Sequence, residues 1–284
     1  MRDRFYAAYH ADIADFDFGE ADALKAKLEE LKPYSEDEQA ALHNYHDNFL
    51  VRFIYESNAL EGSSLSLGDT NLVLEGELPS AEGARLSELF AAQGNADGFA
   101  YVEEAVTCGK TLSEGFIRDL HERTALDSTR RARGTYRVVP ARIIGSPVHP
   151  AEAVEIRSLM ADLLYMNEQA TEVHPIARAS AFHAMFERIH PFNDGNGRVG
   201  RLVLNFMLQT DGYPAVALKN DVAGAYKKAL EDWQAHGQAK PFVDLVNHRI
   251  VRELEKQVGI IEDTRAAVAA LENASEEDKE AYGL

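Results

Sequence analysis

The chain has 284 residues and a mass of 31.5 kDa, room for one large domain or two small ones at roughly 150 residues each. Hydrophobic residues make up 45% and charged residues 27%, an ordinary globular composition that excludes disorder, collagen or low complexity over most of the length. Against 29 Lys and Arg stand 47 Asp and Glu, a formal charge of −18 that repels phosphate backbones and anionic lipid heads, so neither nucleic acid nor a membrane surface is an expected partner. The nearest basic cluster, Arg130, Arg131, Arg133, Arg137 and Arg142, is small enough to serve a local site. A single cysteine, Cys108, excludes an internal disulfide and a cysteine-based zinc cluster, and nothing around it activates a thiol. No apolar run has the length of a membrane span and the first twenty residues lack a secretory pattern, so a soluble cytoplasmic protein is the expectation.

Apolar residues recur at spacings of three and four, which predicts a mostly helical chain. The pattern places helices over 20–32, ending before Pro33, and over 36–60, opened by a capping box of Ser35 and Glu38. After the turn-rich EGSSLSLGD come helices over 69–75, 82–106 and 113–125. Residues 134–149 are rich in β-branched residues and punctuated by Gly and Pro, and predict a short hairpin bending near Pro140. Helices resume over 150–166, 174–189, 198–210, 220–236 and 240–273, and an acidic tail follows. No repeat and no Pro/Gly/Ser-rich linker is present.

The chemistry concentrates in AFHAMFERIHPFNDGNGRVGRLVLNFML, residues 181–208. Phe182, Met185, Phe186 and Ile189 share one helical face and read as core. Pro191 pushes His190 out of helical conformation, and Asn193 to Gly197 form a tight loop before a helical pattern resumes. A helix that starts at a Gly-rich loop gathers free N–H groups and a positive dipole end, an anion site that Arg198 and Arg201 reinforce. Asp194 there makes sense as the holder of a Mg²⁺ bridging phosphates, and His190 is a candidate general base. Together these parts describe phosphoryl or nucleotidyl transfer. Competing readings are weaker. GNGRVG matches a dinucleotide fingerprint but follows a helix instead of a strand; His183, His190 and Asp194 lack the paired carboxylates or H-E-x-x-H of a metal hydrolase; and a plain Asx/Gly turn needs no convergence of two arginines, an Asp and a His.

HPFNDGNGRVGR (190–201) resembles the motif of Fic-domain proteins, H-P-F-x-D/E-G-N-G-R-x-x-R, at all nine specified positions. GTYRVVPARIIGSPVHP resembles the family's flap, AYKKALEDW and KPFVDLV its later helices, and SNALEG (57–62) its inhibitory pattern S/T-x-x-x-E-G/N. The resemblance spans about 55–250 and implies an all-α Fic fold, a helical bundle with a small β-hairpin flap. It divides the chain into an N-terminal helical region (1–80, inhibitory helix about 50–62), a Fic core (81–250) and a C-terminal helix with its tail (251–284).

The activity implied is transfer of AMP from MgATP to a Tyr, Thr or Ser hydroxyl of a target protein or of the chain itself. His190 would be the base. Asp194 would hold Mg²⁺ against the phosphates; Gly195, Asn196, Gly197, Arg198, Gly200 and Arg201 would contact the nucleotide; and Tyr226 would lie near the adenine. Ser57, Glu61 and Gly62 would form the inhibitory element, with Glu61 pairing Arg201 against the γ-phosphate. The flap residues Arg137, Val138, Ile143 and Ile144 would align the target by strand addition. Removal of AMP with Glu61 activating water, phosphocholine or other nucleotide transfer, a silent ATP-binding module, a DNA-binding regulator and a homodimer stand as alternatives or additions.

Overall fold

The computed structural model describes residues 16–79, 85–143, 148–219 and 223–272. Ten α-helices lie among them: α1 Gly19–Glu30, α2 Glu36–Leu60, α3 Leu67–Leu74, α4 Leu86–Thr107, α5 Glu114–Thr124, α6 Ile156–Gln169 (entered through a 3-10 turn), α7 Pro175–Ile189, α8 Asn196–Thr210, α9 Ala223–His236 and α10 Lys240–Glu272. None is long and apolar enough to cross a membrane.

At the centre, α7 packs antiparallel against α8, and both are buried nearly all round. Every residue of α8 from Asn196 to Leu208 is buried, as a helix enclosed by neighbours on all faces must be. Helices α4 and α5 cover one side of this pair, α6 flanks α7, and α10 runs along the back, touching α1, α2, α7 and α9. One apolar cluster draws on Phe18, Phe53, Phe99, Phe186, Phe206, Trp233 and Leu254, and so spans all three regions expected from the sequence.

Two features position the site. First, α2 opens on the capping box, with Glu38 N–H donating to Ser35 Oγ (3.2 Å) and Ser35 N–H to a Glu38 carboxylate oxygen (2.8 Å). It packs through Phe49 and Phe53 against Phe99 of α4, and ends at Glu61 and at Gly62, whose φ of 91° needs a glycine. Second, the segment after α5 carries no strand among its described residues, 134–143 and 148–150, where the sequence predicts a hairpin. The reason is local. The main-chain N–H of Arg137 donates to Pro191 O (2.9 Å), and Pro140 has no N–H, so the donors a ladder needs are engaged or missing. Residues 144–147 of the expected hairpin, Ile144 among them, lie outside the described residues, as does the acidic tail from 273.

Candidate active site

The loop joining α7 to α8 carries the motif. Pro191 ends α7 and leaves His190 at φ 53°, ψ 60°, the left-handed position, with its N–H still donating to Phe186 O (2.9 Å). Arg137 compensates this strained turn. Its buried guanidinium donates to the carbonyls of His190 (2.7 Å), Ala151 (2.5 Å), Val139 (2.8 Å) and Ile189 (3.3 Å). Arg137 is therefore a clamp on the backbone of the motif loop, with its side chain engaged and not free to meet a target. Within the loop, the Asn196 amide bonds both Phe192 N (2.8 Å) and Phe192 O (2.9 Å), which closes the turn and takes up the side chain expected at the anion hole. Phe192 is buried packing.

A cavity of about 490 Å³ opens beside the loop, lined among others by Glu61, Glu187, His190, Gly197, Arg201 and Tyr226. Arg142 and Ile143 line it too, whereas Val138 is 86% exposed to solvent. Burial holds the His190 imidazole below its usual value, with the Glu187 carbonyl partly opposing, so the ring is held neutral as a base must be.

Arg201, 2% exposed, is held from the end of α2. Its Nε donates to Ser57 Oγ (2.8 Å), and its Nη2 to Ser57 O (2.8 Å) and Glu61 Oε1 (2.7 Å). Burial pushes the Glu61 carboxyl up, but the charge and hydrogen bond of Arg201 outweigh it and leave the group ionised. The Glu61 side chain is nonetheless 45% exposed, because it faces the open cavity. The absence of a side chain at Gly197 leaves room for it in this position: a Cβ there would sit 2.1 Å from Glu61 Oε1 and displace the carboxylate.

Other expected residues differ in their engagements. Arg198 forms a two-pronged pair with Asp127 (2.9 and 2.8 Å), a partner 71 residues away that no local pattern marks. Tyr226 is buried with its hydroxyl 2.9 Å from His183 Nε2, and the His183 ring stacks on Phe242. That enclosure overturns His183 as a metal ligand; no cluster of three or more His, Cys, Asp or Glu able to hold a metal occurs among the described residues. Gly200 lies under the Glu187 carboxyl, which a Cβ would approach to 2.3 Å. Sequence reasoning passed over Glu187, although it stands one turn before His190. Burial raises its carboxyl to about 8, with the Arg201 charge opposing, so it lines the cavity uncharged at neutral pH.

Asp194 fits a phosphate-borne divalent cation. Its side chain is 65% exposed at the loop tip and only Oδ1 is engaged, by Gly195 N–H at 2.7 Å, which leaves a carboxylate oxygen facing outward. One protein carboxylate plus phosphate oxygens is the usual magnesium arrangement.

The sequence profile of the Fic/DOC family matches residues 111–208, from the entrance of α5 through the loop and α8. That stretch matches a Fic domain. Protein adenylyltransferase fic-1 of Caenorhabditis briggsae is 26% identical over 220 residues, 76% of this chain and 43% of that protein. Protein adenylyltransferase Fic of Nematostella vectensis is 28% identical over 195 residues, 68% of this chain and 45% of that protein. The chain thus spans under half the length of these curated relatives. A Fic domain containing signaling protein from Bacteroides thetaiotaomicron superposes with TM-score 0.76 at 25% identity, covering 86% of this chain and 98% of that one. The loop described above is therefore carried on a fold shared with that Fic domain containing protein, helical throughout the described residues.

Proposed function

We propose that this chain is a protein adenylyltransferase whose nucleotide site is closed by its own second helix. The observation that carries the reading is the juxtaposition, in one cavity, of a neutral His190, the N-terminus of α8 and an Arg201 already engaged by Glu61. The named activity of the curated relatives supports the same chemistry.

On this reading the triphosphate of ATP lies over the loop at Gly195 to Gly197, where the first-turn N–H groups of α8 and the helix dipole meet negative charge. Asp194 would hold the Mg²⁺ that neutralises charge building on the departing pyrophosphate. Arg201, once free of Glu61, would grip the γ-phosphate and so orient the α-phosphorus for in-line attack. His190 accepts the proton of a Tyr, Thr or Ser hydroxyl as its oxygen bonds the α-phosphorus and the bond to pyrophosphate breaks. The target segment would approach past the exposed Val138 and Val139. The rest of the Arg201 fork, on Ser57, would stay anchored when the carboxylate departs.

A second reading rests on the exposure of Glu61 to the cavity: a carboxylate there could activate water and remove AMP from a modified protein. One experiment separates them. Intact mass is measured after incubation with MgATP for wild type, Glu61→Gly and His190→Ala, alone and with candidate targets. Transfer is expected to be weak in wild type, at least tenfold stronger in Glu61→Gly and absent in His190→Ala. Equal transfer in wild type and Glu61→Gly would overturn closure by Glu61, and loss of AMP from a modified protein only while Glu61 is present would favour removal.

A further inference from the structure

His121 lies on α5, 73 residues from the loop it touches, and no part of the motif includes it. Its ring stacks on Phe192 with centroids 3.7 Å apart and planes 9° from parallel. Gly134 N–H donates to its Nδ1 (2.8 Å), so Nδ1 is the acceptor and the proton sits on Nε2, which donates to the Asp194 carbonyl (3.0 Å). We propose that His121 is a positioning residue of the Fic loop, fixing the Asp194–Gly195 peptide and, through it, the Asp194 carboxylate.

The argument runs through one peptide plane. Gly195 sits at φ 75°, and a glycine crosses between positive and negative φ at little cost, so this peptide can flip unless something holds it. In a trans peptide the C=O and the next N–H point in opposite directions. Anchoring the Asp194 oxygen therefore aims the Gly195 N–H, and that N–H in turn holds Asp194 Oδ1 at 2.7 Å. The other carboxylate oxygen is left facing the position of the metal–phosphate group. Arg137 holds the other end of the same loop, at Ile189, His190 and Pro191. The loop is thus gripped on both sides by the stretch running from α5 to the exposed valines, a support of the kind that fixes reacting groups to within fractions of an ångström.

The role in catalysis rests on the proposed transferase reading, and the test separates the two. In a Glu61→Gly background, His121→Gln places its amide nitrogen where Nε2 stood and keeps a donor for Asp194 O. His121→Asn keeps only the acceptor for Gly134 N–H. His121→Phe keeps the stack on Phe192 and loses both bonds, and guards against a variant that fails for want of packing. Two readouts are taken: the rate of AMP transfer at saturating MgATP, and hydrogen exchange at the 194–197 amides relative to α5. His121→Gln is expected within threefold of its parent in both. His121→Asn and His121→Phe are expected to lose at least tenfold in rate, with KM for ATP moving less than kcat, and to exchange at least tenfold faster at 194–197 while α5 stays unchanged. Equal behaviour of all three variants in loop exchange would overturn the proposal. Should the Glu61→Gly parent transfer no AMP, the transferase reading falls, and the exchange readout still decides whether His121 holds the loop.

Discussion

Under the proposed function His190 must accept a proton, a task suited to a place where water cannot stabilise its charged form, and it owes that placement to the proline after it. Pro191 stops α7, the left-handed turn carries the imidazole to the cavity wall, and burial lowers its pKa. The sign follows directly: the imidazolium is disfavoured, so the neutral base survives to lower pH than a solvated histidine allows. In Glu61→Gly, the acid limb of kcat/KM is therefore expected to have its midpoint below about 6.5, the ordinary histidine value. A pH–rate profile with the midpoint at or above that value would remove His190 as the group titrated. Glu187 follows the same physics with opposite charge: burial favours its neutral acid, beside an arginine that is kept charged by Glu61.

At the scale of elements, close helix approach does much of the positioning. Gly94 of α4 lies against the end of α5 so tightly that a Cβ would fall 2.2 Å from the Thr124 carbonyl oxygen, a backbone atom that cannot rotate away. Gly94→Ala should thus destabilise by about 2–3 kcal/mol, the cost of overpacking, although alanine is the better helix former. Thermal or urea unfolding checks this; an unchanged or higher Tm would mean that α4 and α5 can slide apart. Helices were the most legible part of the sequence, because periodicity and caps are local: Ser35 with Glu38 marks the start of α2, and Pro33 and Pro191 mark breaks. The motif made the loop legible for the same reason. What escaped were the contacts across the chain that no motif carries, unlike Glu61 on Arg201. Asp127 on Arg198 and His121 on Asp194 join residues more than 70 apart, and neither Asp nor His there differs in pattern from a surface residue. The hairpin expectation failed in the described residues because β-branched composition says nothing about whether the backbone donors are already engaged, as Arg137 N–H is on Pro191.

For the whole molecule, buried titratable groups set the pH dependence of stability more than the net charge of −18 does. Burial lowers His121 and His183 to about 4, so between about 4 and 6.5 the unfolded chain binds protons that the folded chain refuses, and stability falls as pH drops through that window. Glu187, raised to about 8, works the other way: between about 4.5 and 8 the folded chain holds a proton that the unfolded chain has released, so stability falls as pH rises. Above pH 6.5 the two histidines no longer contribute, and Glu187 by itself lowers stability by about 2 kcal/mol between pH 6.5 and 8, with His46, raised by its hydrogen bond to Glu103, adding in the same direction. The wild-type Tm is expected to fall more steeply over that interval than the Glu187→Gln Tm; parallel curves would show that Glu187 is ionised in the fold.

Glu61 caps the C-terminal end of α2, while the body of that helix is tied down by Arg52 and Tyr45 on Glu253 of α10 and by His46 on Glu103 of α4. Helix ends open and close within nanoseconds to microseconds without the rest of the helix leaving its place. Under the proposed function, closure is then a duty cycle and not a lock: the basal rate divided by the Glu61→Gly rate measures the fraction of time the last turn is frayed, tenfold for every 1.4 kcal/mol that holds it shut. A regulator of such an enzyme would need to catch only that one turn while open, leaving the fold behind it untouched.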